Sequence, residues 1–220
     1  MNFKKAFEHA KQYGPSEETR EIACNNETHA RIYAEYIDKG PHEDTREASC
    51  REPFSACCYA QYINKCPQDD TREAACKTAY YAYFYALLVD KCPRDDTREA
   101  ACKDSYFAYL YALEVDQCPR DDTREAACKD PEWAYMYAKD VDKCSREDTK
   151  LAVEGTGYEE EYKKIFEELV TNCMNFEEAY EHAKKYGSSE ETRKIACKSS
   201  KYAYLYQSLS YNKQGRLTAG

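Results

Sequence analysis

Large aliphatic side chains are scarce in this 220-residue chain. Leu, Ile, Val and Phe together make up only about an eighth of it. A composition this poor reads as disorder unless other residues build the core. Gly and Pro are also few, 7 of each, which excludes a flexible linker. No apolar run is long enough to span a bilayer. The N-terminal MNFKKAFEHAKQYG is charged and amphipathic and lacks the apolar stretch of a signal peptide. The default expectation is therefore an unexported, cytoplasmic chain without a membrane partner. Positive charge is in deficit, with 32 Lys+Arg against 41 Asp+Glu and a net charge of -9. Nucleic acid is itself anionic, so this balance argues against it as a partner.

What the chain has instead is 22 Tyr and 13 Cys. Both pack in cores. So many cysteines pull toward an oxidising, extracellular setting, where disulfides persist. Periodicity decides between disorder and a fold built from Ala, Tyr and Cys. The segment CPRDDTREAAC occurs at Cys92 to Cys102 and again at Cys118 to Cys128. With one change it also runs from Cys66 to Cys76. Pro15, Pro41, Pro67, Pro93 and Pro119 recur with a 26-residue period, and Ser145 continues the series. A fixed period in this range marks a stacked array, because one short unit cannot bury its apolar face alone.

Each unit reads as two helices, here called A and B. In the third repeat Asp70-Thr71-Arg72-Glu73 fits a capping box, with Asp70 as N-cap and Glu73 reaching back. In the fifth, Asp130-Pro131 starts helix B with a good N-cap and Pro at the first helical position. Ala134, Tyr137, Ala138 and Val141 then form an i, i+3, i+4, i+7 stripe, repeated as Ala82, Tyr85, Ala86, Val89 and as Ala108, Tyr111, Ala112, Val115. Cys144 and its equivalents end helix B. The expected fold is an all-α, right-handed α-solenoid of 26-residue helix-turn-helix repeats. Residues 1–14 form a capping helix, 15–144 five repeats, and 145–173 a degenerate repeat or spacer. Residues 174–211 repeat the start and add one unit, and 212–220 are a polar tail. The duplication is close: Met1 to Cys24 and Met174 to Cys197 match at 18 of 24 positions.

Capped helix pairs with Ala and Tyr at fixed offsets resemble the α-solenoid class that includes tetratricopeptide repeats. The segment Asp130-Pro131-Glu132-Trp133-Ala134-Tyr135-Met136-Tyr137-Ala138 is similar to Tyr-rich arrays of the Asp-Pro-x-x-Ala-Tyr-x-Tyr-Ala type from phage and environmental microbial proteins. Asp104-Ser105 and Thr78-Ala79 depart from that pattern at its first two positions. The resemblance implies a helical scaffold and carries no reaction or ligand.

Three constellations are candidates for function. Cys50, Cys76, Cys102 and Cys128 fall late in helix A, and Cys66, Cys92, Cys118 and Cys144 fall at the end of helix B. Their alternating spacings of 10 and 16 lack the close pairs that zinc wants. They read either as small buried thiols beside Ala or as repeated disulfides, although the two sets belong to opposite ends of an antiparallel hairpin. Asp70 and Arg72, Asp96 and Arg98, and Asp122 and Arg124 share one ladder. They read as caps and ion pairs between stacked units in preference to phosphate or calcium ligands. Helix B of the third repeat is apolar on every face. One face packs on its neighbours, and the other, carrying Tyr83, Tyr109, Tyr135 and Tyr204 with Tyr80 and Tyr106 nearby, reads as a solvent-facing contact strip. Tight curvature that buries both faces is the competing reading.

The four histidines, His9, His29, His42 and His182, stand in no catalytic or metal-binding spacing. No enzyme, metal or cofactor is expected. Two functions remain: a structural protein that self-associates, head-to-tail into filaments or tubes, or a monomeric or dimeric scaffold that binds a protein or peptide on its Tyr-rich face.

Overall fold

A computed structural model describes residues 1–172 and 176–186, together with 192, 193, 195 and 205. The described residues are helical and contain no strand. The fold is an all-α solenoid of 26-residue helix-turn-helix repeats. The chain divides into two compact units, Met1–Asp116 and Gln117–Gly220.

In the first unit, the helix Phe3–Tyr13 precedes four repeats. Its buried face is only Ala6 and Ala10, joined by half-buried Phe3 and Phe7, and its other face is charged. The helix A segments are Glu17–Cys24, Glu43–Ser49, Asp69–Ala75 and Asp95–Ala101. The helix B segments begin as Glu27–Tyr33, Pro53–Cys58, Ala79–Tyr85 and Ser105–Leu110. Each helix B then widens into a π-helical turn: Ala34–Asp38, Tyr59–Asn64, Ala86–Asp90 and Tyr111–Asp116. The second unit continues the pattern with Asp121–Ala127, then Pro131–Met136 widening into Tyr137–Asp142. Glu147–Val153, Glu159–Asn172 and Phe176–Tyr186 follow.

Alanine makes the seams. Ala30 and Ala34, Ala56 and Ala60, Ala82 and Ala86, Ala108 and Ala112, and Ala134 and Ala138 are fully buried on helix B. With no side chain beyond Cβ, these positions let helices approach closely. The volume is filled by one Tyr per repeat: Tyr33, Tyr59, Tyr85, Tyr111 and Tyr137 are the largest fully buried side chains. This is how a chain poor in Leu and Ile builds a core.

Each of these tyrosines also carries a polar lock. Its hydroxyl lies 2.7–2.8 Å from a buried Thr fourteen residues earlier, in Thr19–Tyr33, Thr45–Tyr59, Thr71–Tyr85, Thr97–Tyr111 and Thr123–Tyr137. In the last four it also accepts the backbone N–H of the residue before helix A, at 2.9 Å from His42, 3.1 Å from Gln68 and 3.0 Å from Arg94 and Arg120. A helix N-terminus leaves backbone donors without intrahelical partners, and here helix B satisfies one from the side.

That geometry corrects the expected capping box. Helix A of the third repeat starts at Asp69 with Gln68 as its N-cap, and Gln68 makes no side-chain cap. Asp70 is the second helical residue and accepts the Thr71 N–H at 2.7 Å, while Glu73 is exposed to solvent. Asp96 and Asp122 do the same for Thr97 and Thr123. At helix B of the fifth repeat, Asp130 is the N-cap and accepts the Glu132 N–H at 2.9 Å, with Pro131 at the first position. Helix B closes at Asp142, before Cys144, and the next residue turns left-handed. The equivalent Lys39, Lys65, Lys91, Gln117 and Lys143 all have φ of 53–58°.

The sixth unit, expected to be degenerate, retains the lock. Thr149 and Tyr162 meet at 2.8 Å with the spacing shortened by one residue. In the second start, Ala179 and Ala183 are buried as Ala6 and Ala10 are, and Thr192 is buried as Thr19 is. The tail 212–220 lies outside the described residues.

Candidate interaction surface

The Asp-Thr-Arg ladder is structural. The widened turn of helix B brings an Asp carboxylate back under the Arg of its own helix A. Arg72 pairs with Asp90 at 3.1 Å, Arg98 with Asp116 at 3.0 Å, and Arg124 with Asp142 at 2.8 Å through two parallel bonds. Each guanidinium also lies over the lock tyrosine, 5.8 Å from the Tyr85 ring and 5.6 Å from the Tyr111 and Tyr137 rings. Fixed by a carboxylate and stacked on a ring, these arginines are not presented to a ligand. Burial pushes the Asp90 and Asp142 carboxyls up, while the facing arginine opposes that shift.

Pairing between stacked units is a secondary contact of the same side chains. Arg72 reaches Asp96 at 3.9 Å, and Arg124 reaches Asp148 at 3.8 Å. The second repeat differs. It has Asn64 where the others have Asp, and Arg46 bonds to Asp70 of the next repeat at 2.7 Å.

Cys50, Cys66, Cys76, Cys92, Cys118 and Cys128 form no disulfide. Cys50, Cys76, Cys102 and Cys128 are half-buried where helix A ends, Cys66, Cys92 and Cys118 are exposed, and Cys144 is buried. The helix A set stands at the C-caps of helix A, and Cys66, Cys92 and Cys118 precede its first turn. Burial pushes the Cys50 and Cys128 thiols up to about 12 and that of Cys76 to about 11, and a neighbouring Asp adds to each shift. A thiolate is the nucleophile and the metal ligand, so these groups are poor at both. Among the described residues no three His, Cys, Asp or Glu side chains are placed to hold a metal ion. Nor is any described helix long and apolar enough to cross a membrane.

A cavity of about 330 Å³ opens in the sixth repeat beside Lys150, Val153, Tyr162 and Phe166. On its rim Glu159 and Lys163 are paired with each other. Glu159 accepts from Lys163 at 2.6 Å and from the Gly155 N–H at 2.8 Å.

The tyrosine strip divides in two. Tyr83, Tyr109 and Tyr135, expected to face solvent, are buried at 4%, 6% and 8% exposure. For Tyr83 and Tyr135, close Ala-mediated stacking brings the following unit over the ring. Tyr83 packs 6.0 Å from the Phe107 ring and donates to Glu114 at 2.5 Å, and Tyr135 stacks on Tyr158 at 5.8 Å. Tyr204 lies outside the described residues. Tyr80 and Tyr106 do face solvent, at 46% and 38%.

Two rows of exposed apolar side chains complete this surface in the first unit. Phe54, Tyr80 and Tyr106 share one slot near the start of helix B in successive repeats. Tyr36, Tyr62 and Leu88 share a second slot in the widened turn. Ring contacts link the first row into a continuous band: Phe54 to Tyr81 at 6.1 Å, Tyr81 to Tyr80 at 4.7 Å, Tyr80 to Phe107 at 5.5 Å and Phe107 to Tyr106 at 5.1 Å. Phe54, Tyr36, Tyr62 and Leu88 were not among the residues expected from sequence. Aligning the chain on its 26-residue period reveals both rows.

Comparison of the chain with protein-family models, with curated proteins and with solved structures finds no match.

Proposed function

We propose that this chain is a non-enzymatic structural repeat protein that self-associates through the outward face of helix B in its first four repeats. The observation that carries this reading is the pair of exposed rows, Phe54, Tyr80, Tyr106 and Tyr36, Tyr62, Leu88. Six large side chains left 38–60% open amount to an apolar surface on the order of 500 Å². A patch of that size on a soluble domain marks a contact site, and aromatic residues are enriched at the centre of such sites. These side chains are not needed to close the hairpin, which the buried alanines and the Thr–Tyr lock already do. A repeat stack also presents unlike faces, and a contact between unlike faces that does not close on itself propagates into fibres.

The test is sedimentation velocity of the purified protein over a wide concentration range, followed by negative-stain microscopy. Growth of the sedimentation coefficient with concentration is the expected result, abolished by Tyr62→Ser with Tyr80→Ser while the helical signal stays unchanged. A strict monomer at every concentration overturns the reading and leaves the ridge to a different protein or peptide.

A further inference from the structure

We propose that the helix B ridge of the first four repeats docks on the acidic helix A face of a second copy of this chain. The contact is between unlike faces, and the inference rests on the self-association reading above.

The first argument is charge. One turn beyond Tyr36, Tyr62 and Leu88 stand Lys39, Lys65 and Lys91, all exposed. Among the described residues none of the three forms an ion pair. Each sits in a left-handed backbone conformation, with φ of 54–58°. Glycine takes that conformation without strain and other residues do not, yet no repeat places glycine there. The slot holds lysine in the first three repeats, Gln117 in the fourth and Lys143 in the fifth. The ridge therefore carries a basic margin, and two ridges laid face to face would bring lysines toward lysines.

The complementary surface is on the same molecule. Glu21, Glu47, Glu73 and Glu99 share one outward slot of helix A, all exposed and none in an ion pair among the described residues. The helix A arginines are already paired: Arg20, Arg72 and Arg98 with Asp38, Asp90 and Asp116 of their own repeats, and Arg46 with Asp70 of the next.

The second argument is spacing. The lysine row runs through the first three repeats and the glutamate row through the first four, both at the 26-residue interval. A partner able to match a row of ammonium groups along several repeats must carry carboxylates at the same interval. A second copy does so by construction.

The third argument is hydrogen-bond type. Four of the six ridge residues are tyrosines, whose hydroxyls donate, and the helix A face offers carboxylate acceptors. The chain already makes this pairing internally, between Tyr83 and Glu114 at 2.5 Å.

The experiment is a charge swap in the full-length chain, read by sedimentation velocity and light scattering at low and high salt. One variant carries Lys39→Glu, Lys65→Glu and Lys91→Glu. The other carries Glu47→Lys, Glu73→Lys and Glu99→Lys. The expected result is that wild type associates, that each variant alone associates at least about tenfold more weakly, and that an equimolar mixture recovers association. Recovery on mixing also demonstrates that both variants are folded. If wild type associates but the Glu→Lys variant is unaffected, or mixing restores nothing, this docking mode is wrong while self-association stands. Ridge-to-ridge contact would show itself by tighter association of the Lys→Glu variant mixed with wild type than of either protein alone. If wild type never associates, both readings fall together.

Discussion

The fourth and fifth repeats share thirteen identical residues, Cys92 to Asp104 and Cys118 to Asp130, and then diverge. Facing inward, their helices B still agree: Ala108 and Ala134, Tyr109 and Tyr135, Tyr111 and Tyr137, Ala112 and Ala138, Val115 and Val141, Asp116 and Asp142. Facing outward they do not. Tyr106 becomes Glu132, Leu113 becomes Lys139 and Glu114 becomes Asp140. Both helices fold with the same lock, at 2.8 Å in each. The outward aromatic is therefore not a requirement of the hairpin. Where the chain keeps it, the proposed self-association gives it a role that the hairpin does not.

The largest effect should come from breaking what the two repeats share. Tyr111→Ala removes a fully buried ring and a hydroxyl that holds Thr97 and the Arg94 N–H, for a loss of about 3–5 kcal/mol. Tyr111→Phe keeps the ring and strands the polar partners, at about 1–3 kcal/mol. Urea unfolding should rank the two in that order. Equal losses would mean that the ring contributes nothing beyond its hydroxyl.

Alkali should act next. Burial pushes the phenols of Tyr59, Tyr85 and Tyr111 up, and that of Tyr137 up to about 12. A phenol raised in the fold contributes stability that is complete below the unfolded value near 10. That stability drains away as pH climbs through the folded value. Circular dichroism should show helix intact at pH 9 and lost between about pH 10 and 12, in step with tyrosinate absorbance. Helix loss that precedes ionisation would disconnect the lock from stability.

The smallest effect sharpens the outward half of the comparison. Tyr106→Ser and Glu132→Tyr should each move the unfolding free energy by no more than about 0.5 kcal/mol. Tyr106→Ser should nonetheless weaken association, and this split between folding and assembly is what a surface role predicts. A loss above about 2 kcal/mol for Tyr106→Ser would place that ring in the core.

Much of the fold was legible in the sequence because the regularly spaced prolines punctuate it and Asp130-Pro131 marks a helix start. The lock was written there too, as a Thr fourteen residues before a Tyr in each of the first five repeats, and again from Thr192 to Tyr206. It went unread because a hydroxyl pair between two helices leaves no trace in the periodicity of either. The same limit misplaced Asp70, since the true partner of the helix start comes from Tyr85, at a distance in sequence. Tyr83 and Tyr135 were assigned to solvent because a regular helix separates them from the Ala face. Alanine packs its neighbours so closely that the adjoining unit covers them. The row Tyr36, Tyr62 and Leu88 is hidden from helical periodicity because it lies in a widened turn, where the 3.6-residue period no longer applies.

The Arg72–Asp90, Thr71–Tyr85 and Gln68–Tyr85 contacts all close within a single repeat. A whole repeat added or deleted as one block thus brings or removes donors and acceptors in matched sets. Array length becomes a freely adjustable quantity, like the graduations on a ruler. In the second repeat the guanidinium itself depends on a neighbour, because Arg46 draws its carboxylate from Asp70 in the next. An array shortened between those two repeats would strand a guanidinium, whereas one shortened between the third and the fourth would not.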